Sequence, residues 1–141
     1  MRQRKGFTVI ELIFVVLLLA GASLLFFVQK NSLEVAARDE QRKTAINAMY
    51  YGLEEIYYKE HNAYPRTLSK ATLPFVDPSH FTDPDGIALN QSTLVIDEVE
   101  YPVNPTYRYE GKNCTNDTCQ AYMLRTSLEN EDDFIRTNRD R

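Results

Sequence analysis

The sequence predicts an α+β chain in which a long N-terminal α-helix carries a small head built on an antiparallel three-stranded β-sheet. Three observations predict it. From Phe7 to Val28 the only polar side chains are Thr8, Glu11 and Ser23. Helical periodicity then continues, with no proline before Pro65. The last third of the chain holds short β-rich runs separated by turn residues.

The apolar run comes first in the chain. Its 22 residues rise about 1.5 Å each in a helix and so span roughly 33 Å, the hydrocarbon thickness of a bilayer. Arg2, Arg4 and Lys5 precede it, which predicts a cytoplasmic N-terminus and an exported remainder. Glu11 stands out, because an acid deep in a membrane helix costs about 2.5–3.5 kcal/mol and usually has a partner. No basic residue lies inside the run. A cut between Gly6 and Phe7 would create an α-amino group four residues upstream, within reach of Glu11 on a staggered neighbouring helix.

Three competing readings explain less. A signal peptide cut near Ala20-Gly21-Ala22 would have Glu11 inside its apolar core and would leave Leu24–Val28 as a greasy terminus. An ordinary single-pass anchor explains the length but not the glycine, phenylalanine and acid. A lipoprotein needs a cysteine near the cleavage site, and none is there.

Basic residues followed by Gly6-Phe7-Thr8-Val9-Ile10-Glu11-Leu12 and a long apolar run resemble the N-terminus of type IV pilins and the pseudopilins of type II secretion. The resemblance implies a pilin fold and cleavage by a prepilin peptidase after Gly6. It also implies N-methylation of the new first residue, Phe7, and assembly supported by Glu11. Residues 1–6 are then a leader and 7–28 the membrane and filament-core helix. Residues 29–61 form the helix half packed on the head, and 62–141 the head itself. The implied partners are further copies or related pilins, the peptidase, a pilus or secretion assembly platform, and the membrane before assembly.

Between Gln29 and His61, an apolar stripe of Ile46, Met49, Tyr50, Leu53, Ile56 and Tyr57 predicts core packing against the sheet. Arg38, Arg42, Lys43, Glu54, Glu55 and Lys59 are expected to fall largely away from it. Gly21 is a weak point at which the helix could melt in a filament, or a site of close helix packing. The helix is expected to stop near His61-Asn62, since asparagine tolerates a left-handed cap and Pro65 cannot continue a helix. Tyr57-Tyr58, Tyr64-Pro65 and Leu68 resemble the helix exit of type IVa pilins and the major pseudopilin.

Residues 66–92 predict a connecting loop with a short helical turn near Thr67–Leu73. Asp83-Pro84-Asp85-Gly86 is a turn signature. Counted as an EF-hand it fails, because Ile87 and Leu94 occupy ligand positions, so no metal site is assigned. The three strands are expected at Thr93–Val99, Thr106–Glu110 and Gln120–Leu128. The hairpin connection Gly111–Cys119 holds both cysteines, which fit an oxidising compartment and are expected to pair, Cys114 with Cys119. Arg136–Arg141 predicts a fraying polar tail.

Net charge is −4, and removing the basic leader makes the chain more acidic, which argues against direct nucleic-acid binding by the monomer. No catalytic residue, metal or cofactor is assigned. The histidines, His61 and His80, lie far from any nucleophile motif, and the five glycines form no phosphate loop. Asn113-Cys114-Thr115 and Asn116-Asp117-Thr118 match the N-glycosylation pattern, read in a bacterial chain as coincidence.

The expected function is a structural subunit of a type IV pilus, polymerising through its N-terminal helix for adhesion, motility or DNA uptake. The expected location is the cytoplasmic membrane, then an extracellular or periplasmic filament. The alternatives are a pseudopilin of a secretion or competence machine, and a membrane-anchored binding domain that never polymerises.

Overall fold

A computed structural model describes residues 8–140, in which helical backbone occupies Val9 to His61. Helix α1 (Val9–Tyr51) passes through Gly21 without a break. A π-helical turn follows at Gly52–Tyr57, then a last α-turn, α2 (Tyr58–His61). Asn62 ends it in the left-handed conformation at φ +53°, with its amide donating to the Tyr58 carbonyl at 2.8 Å. The expected asparagine cap is there, and Pro65 lies beyond it. Two compact units divide the chain, one reaching to Val35 and one, the head, running from Ala36.

The head's main sheet has four strands rather than three. Its centre is β5 (Thr118–Thr126), paired along its length with β4 (Tyr107–Thr115). The other edge of β5 is shared by β1 (Tyr64–Pro65) at Thr118–Cys119 and β6 (Phe134–Thr137) at Met123–Thr126. All these pairings are antiparallel. The Thr93–Val99 run does not join this sheet. It forms a separate hairpin of β2 (Thr93–Ile96) and β3 (Val99–Pro102), turned through Asp97 and Glu98, both at positive φ. Its poor alternation is the physical reason: with apolar residues on both faces it offers no single side to a core. Residues assigned to a fraying tail instead supply the end of β6, because β5 has an open edge there to pair with.

Strand alternation sets the core. Tyr107 and Tyr109 on β4, and Tyr122, Leu124 and Thr126 on β5, are buried, and they face Ala45, Ile46, Met49 and Leu53 of the helix. Each large apolar side chain so buried contributes about 1.5–3 kcal/mol, and strands this few depend on that helix for stability.

The helical stripe departs from expectation at two charged residues. Arg42 is 3% exposed and Glu54 is 0% exposed, whereas both were expected to face away. Arg42 lies four residues before Ile46 and so continues the stripe. Glu54 sits in the π-turn, whose i→i+5 bonding puts more residues in the turn and shifts the phase of the stripe. Ile56 is correspondingly 37% exposed.

In the connection, the segment expected to form a helical turn near Thr67–Leu73 holds only hydrogen-bonded turns at Lys70–Thr72. The helical turn is a 3₁₀ helix at Pro78–Phe81, capped by Asp77, whose carboxylate accepts from the Ser79 amide at 2.8 Å. Proline at the first position and an aspartate cap favour it there. Asp83–Gly86 forms the expected turn, closed by Gly86 N–H to Asp83 C=O at 2.9 Å with Gly86 at φ +86°.

Candidate functional site: an apolar helix and a locked head

Thr8 and Glu11 cap the start of α1 reciprocally. The Thr8 amide donates to Glu11 Oε2 at 3.4 Å, and the Glu11 amide donates to Thr8 Oγ1 at 3.4 Å. Threonine followed three residues later by glutamate is a capping box, a signal that the sequence carries in Thr8-x-x-Glu11. Both distances are long for such bonds, so the carboxylate is held loosely. Ser23 is satisfied within the helix too, donating to the Leu19 carbonyl at 2.8 Å. The expected processing residues, Gly6 and Phe7, lie outside the described residues, as does any pairing of Glu11 with a Phe7 amine.

The apolar residues that follow are bare. Val9 to Val28 presents large side chains between 42% (Val15) and 77% (Ile10) exposed. The helix is long and apolar enough to cross a membrane, and none of its apolar window is buried. Its polar side chains each find an intrahelical partner, the condition a helix meets in hydrocarbon.

In the head, two polar clusters fasten the sheet and its loops to the helix. Arg42 donates through Nη1 to Asp39 at 2.9 Å and to Glu129 at 2.7 Å, and through Nη2 to Asp85 at 2.8 Å. Arg38 engages Glu129 with two bonds, at 2.7 and 2.6 Å. Asp39 accepts from the Glu129 and Asn130 amides at 3.0 and 3.2 Å. Hydrogen bonds from Arg38, then Arg42, hold the Glu129 carboxyl down at about 2. Burial alone would raise Asp39, but the amides of Glu129 and Asn130 and the Arg42 guanidinium outweigh it and lower its pKa.

The second cluster surrounds Glu54. Tyr64 and Tyr122 donate their hydroxyls to Glu54 Oε1 at 2.9 and 3.1 Å, and the two rings meet edge to face at 4.7 Å. Burial, followed by the Glu54 charge, drives the Tyr122 phenol far above its ordinary pKa. Arg139 closes the cluster from the C-terminal side, reaching Glu55 at 2.6 Å.

Cys114 and Cys119 form a disulfide across the β4–β5 hairpin, at directly opposed positions. Gly111 lies beneath it: a Cβ there would stand 2.6 Å from Cys119 Sγ. That requirement for glycine could not be read from spacing. His61, in the last turn of the helix, stacks on Tyr57 at 4.2 Å and pairs with its carbonyl at 3.0 Å. His80 lies in the 3₁₀ helix beside a groove of about 490 Å³ between Ala37–Ala45 and Ser79–Pro84. Among the described residues, no three or more histidines, cysteines or acids are grouped to hold a metal ion.

No protein-family model matches this chain, and no curated protein or solved structure matches it.

Proposed function

We infer that this chain is a structural pilin: a subunit anchored in the cytoplasmic membrane with its N-terminus inside, which polymerises through α1 into a type IV pilus. The observation that carries this is the apolar helix from Val9 to Val28, exposed throughout and headed by a single, loosely capped acid. A bilayer can cover such a surface, and so can a bundle of identical helices. Lipid gives Glu11 no partner beyond the cap it shares with Thr8. A bundle does, because the amine of a processed Phe7 on a neighbouring helix gives the carboxylate a charged partner. The resemblance of Lys5-Gly6-Phe7 to a prepilin cleavage junction supports the same reading.

The head fits the role. Its fastening to the helix through Arg42 and Glu54 lets a force on the helix reach the sheet without peeling it off. The disulfide-closed hairpin would present a stiff feature for adhesion or for packing between heads.

The test is electron microscopy of material sheared from expressing cells, with intact-mass measurement of the subunit. The reading expects filaments whose subunit begins at an N-methylated Phe7. A mass beginning at Ser23 would support the signal-peptide alternative. Uncut protein confined to membranes, with no filaments, would support the simple anchor.

A further inference from the structure

The end of the helix and the tip of the β4–β5 hairpin stand on either side of a groove of about 300 Å³. Tyr58 and Asn62 line it from the helix, and Asn113, Thr115 and Gln120 from the hairpin. The sheet ladder breaks there. Lys112 pairs with Ala121 and Cys114 with Cys119, but Asn113 and Gln120, which lie between those pairs, are not ladder partners. Asn113 sits at φ +52°, a left-handed residue that extended pairing does not accommodate. Both walls are fixed. The Cys114–Cys119 disulfide ties the hairpin side, while Asn62 is the left-handed helix cap and Tyr58 rests on Tyr64 with 5.0 Å between ring centroids.

The lining decides what such a groove can hold. None of its side chains is charged, so an anion finds no cation and a metal ion finds no carboxylate or imidazole. Asn62, Asn113 and Gln120 are exposed, and their side chains enter no hydrogen bond among the described residues. Each amide offers one acceptor and two donors. A saccharide hydroxyl also both donates and accepts, so neighbouring hydroxyls on a sugar ring can engage both ends of an amide. The C–H face of such a ring is apolar and packs on an aromatic side chain, which the half-buried Tyr58 supplies. An aliphatic ligand would instead cover the amides without giving them partners, which costs free energy for each one desolvated.

We propose that this groove binds a neutral saccharide ring, held by Asn62, Asn113 and Gln120 and packed on Tyr58. On a surface filament the site would serve adhesion. That use rests on the filament reading above, whereas the binding itself does not.

The experiment titrates the full chain with the methyl glycosides of galactose, glucose and mannose, and with N-acetylgalactosamine and N-acetylglucosamine, following side-chain amide resonances. A zwitterionic detergent is used, because maltoside detergents themselves carry sugar. The expected result is a saturable shift of the Asn62, Asn113 and Gln120 amides with at least one of these sugars. Asn62→Gly/Asn113→Gly permits the left-handed backbone at both positions and deletes both amides. It is expected to weaken binding of that sugar about tenfold or more, with the backbone resonances of Tyr122 and Leu124 in place. Gln120→Ala, which touches neither left-handed position, is expected to weaken it as well. No saturable shift with any of these sugars, shifts confined to other residues, or wild-type affinity in both variants overturns the proposal. Inorganic phosphate that shifts the same amides also overturns it, in favour of an anion site. Because the readout needs no polymer, a chain that binds sugar but builds no filaments overturns the pilus and leaves the groove. Filaments whose subunits bind no sugar overturn the groove and leave the pilus.

Discussion

Arg42 Nη1 lies 2.7 Å from Glu129 Oε1, joining α1 to a residue 87 positions further along the chain. This contact makes the head acid-sensitive in a defined window. Arg38 and Arg42 hold the folded-state pKa of Glu129 at about 2, below its ordinary value of 4.5. A carboxyl lowered by folding stabilises above its unfolded pKa and loses that stabilisation as pH falls through the folded one. The contribution of Glu129 is therefore complete above about pH 4.5 and disappears toward pH 2. Asp39, lowered in the same direction, adds to the loss on the acid side. Acid titration followed by circular dichroism checks this: Glu129→Gln flattens the loss across that window relative to wild type. Equal acid slopes would show that Glu129 is not linked to folding.

Glu54 offers a sharper stability test. Tyr122→Phe removes one hydroxyl donor and keeps the ring, so it is expected to cost about 1 kcal/mol. Glu54→Ala leaves the Tyr64 and Tyr122 hydroxyls without their shared acceptor and opens a void, with an expected cost of about 2–5 kcal/mol. Denaturant unfolding of the detergent-solubilised chain measures both. A Glu54→Ala variant as stable as Tyr122→Phe would show that the carboxylate is not the anchor of the cluster.

These two residues also mark where the sequence stopped being legible. The helix, its asparagine cap, the alternation of Tyr122 and Leu124 and the turn at Asp83–Gly86 all follow from local chemistry, and the structure has them. Charge usually means surface, so the sequence predicts Arg42 and Glu54 facing outward. Asp39 and Tyr64 are partners close in sequence, but the enclosure of both groups also needs partners 87 and 68 residues away, which no local pattern reports. The π-turn is similarly silent, since nothing in Gly52–Tyr57 distinguishes it from α-helix. Strands β1 and β6 are not legible in the sequence, because two and four residues are too few to show alternation. At the helix start the reverse holds. Thr8-x-x-Glu11 is legible as a capping box, and the same acid also predicts a partner on another chain.

Gly111 and the disulfide make a paired prediction. A six-residue loop closed by Cys114–Cys119 restrains the unfolded chain by about 2 kcal/mol. Cys114→Ser/Cys119→Ser is expected to lower stability by that order and keep the fold. Gly111→Ala places a methyl group against Cys119 Sγ and Cys114 Sγ, so the hairpin must shift. Its signature is a change in the amide resonances of Cys114 and Cys119, largely relieved when both cysteines are serine. A Gly111→Ala spectrum identical to wild type would contradict the close packing.

The central claim is that the lone acid of the apolar helix serves assembly, and Glu11→Val tests it most directly. In a bilayer the substitution removes a costly group, so the variant inserts and anchors at least as well as wild type. The valine cannot receive the charge of a neighbouring Phe7 amine, and apolar packing alone tolerates slipped staggers. The measurement is filament yield in sheared fractions, with helical rise from electron micrographs, at matched amounts of cleaved subunit in the membrane. The account predicts a variant that is inserted and cut but builds no filaments by itself. Normal yield of Glu11→Val filaments at an unchanged rise would contradict it, and would leave Glu11 as a helix cap alone.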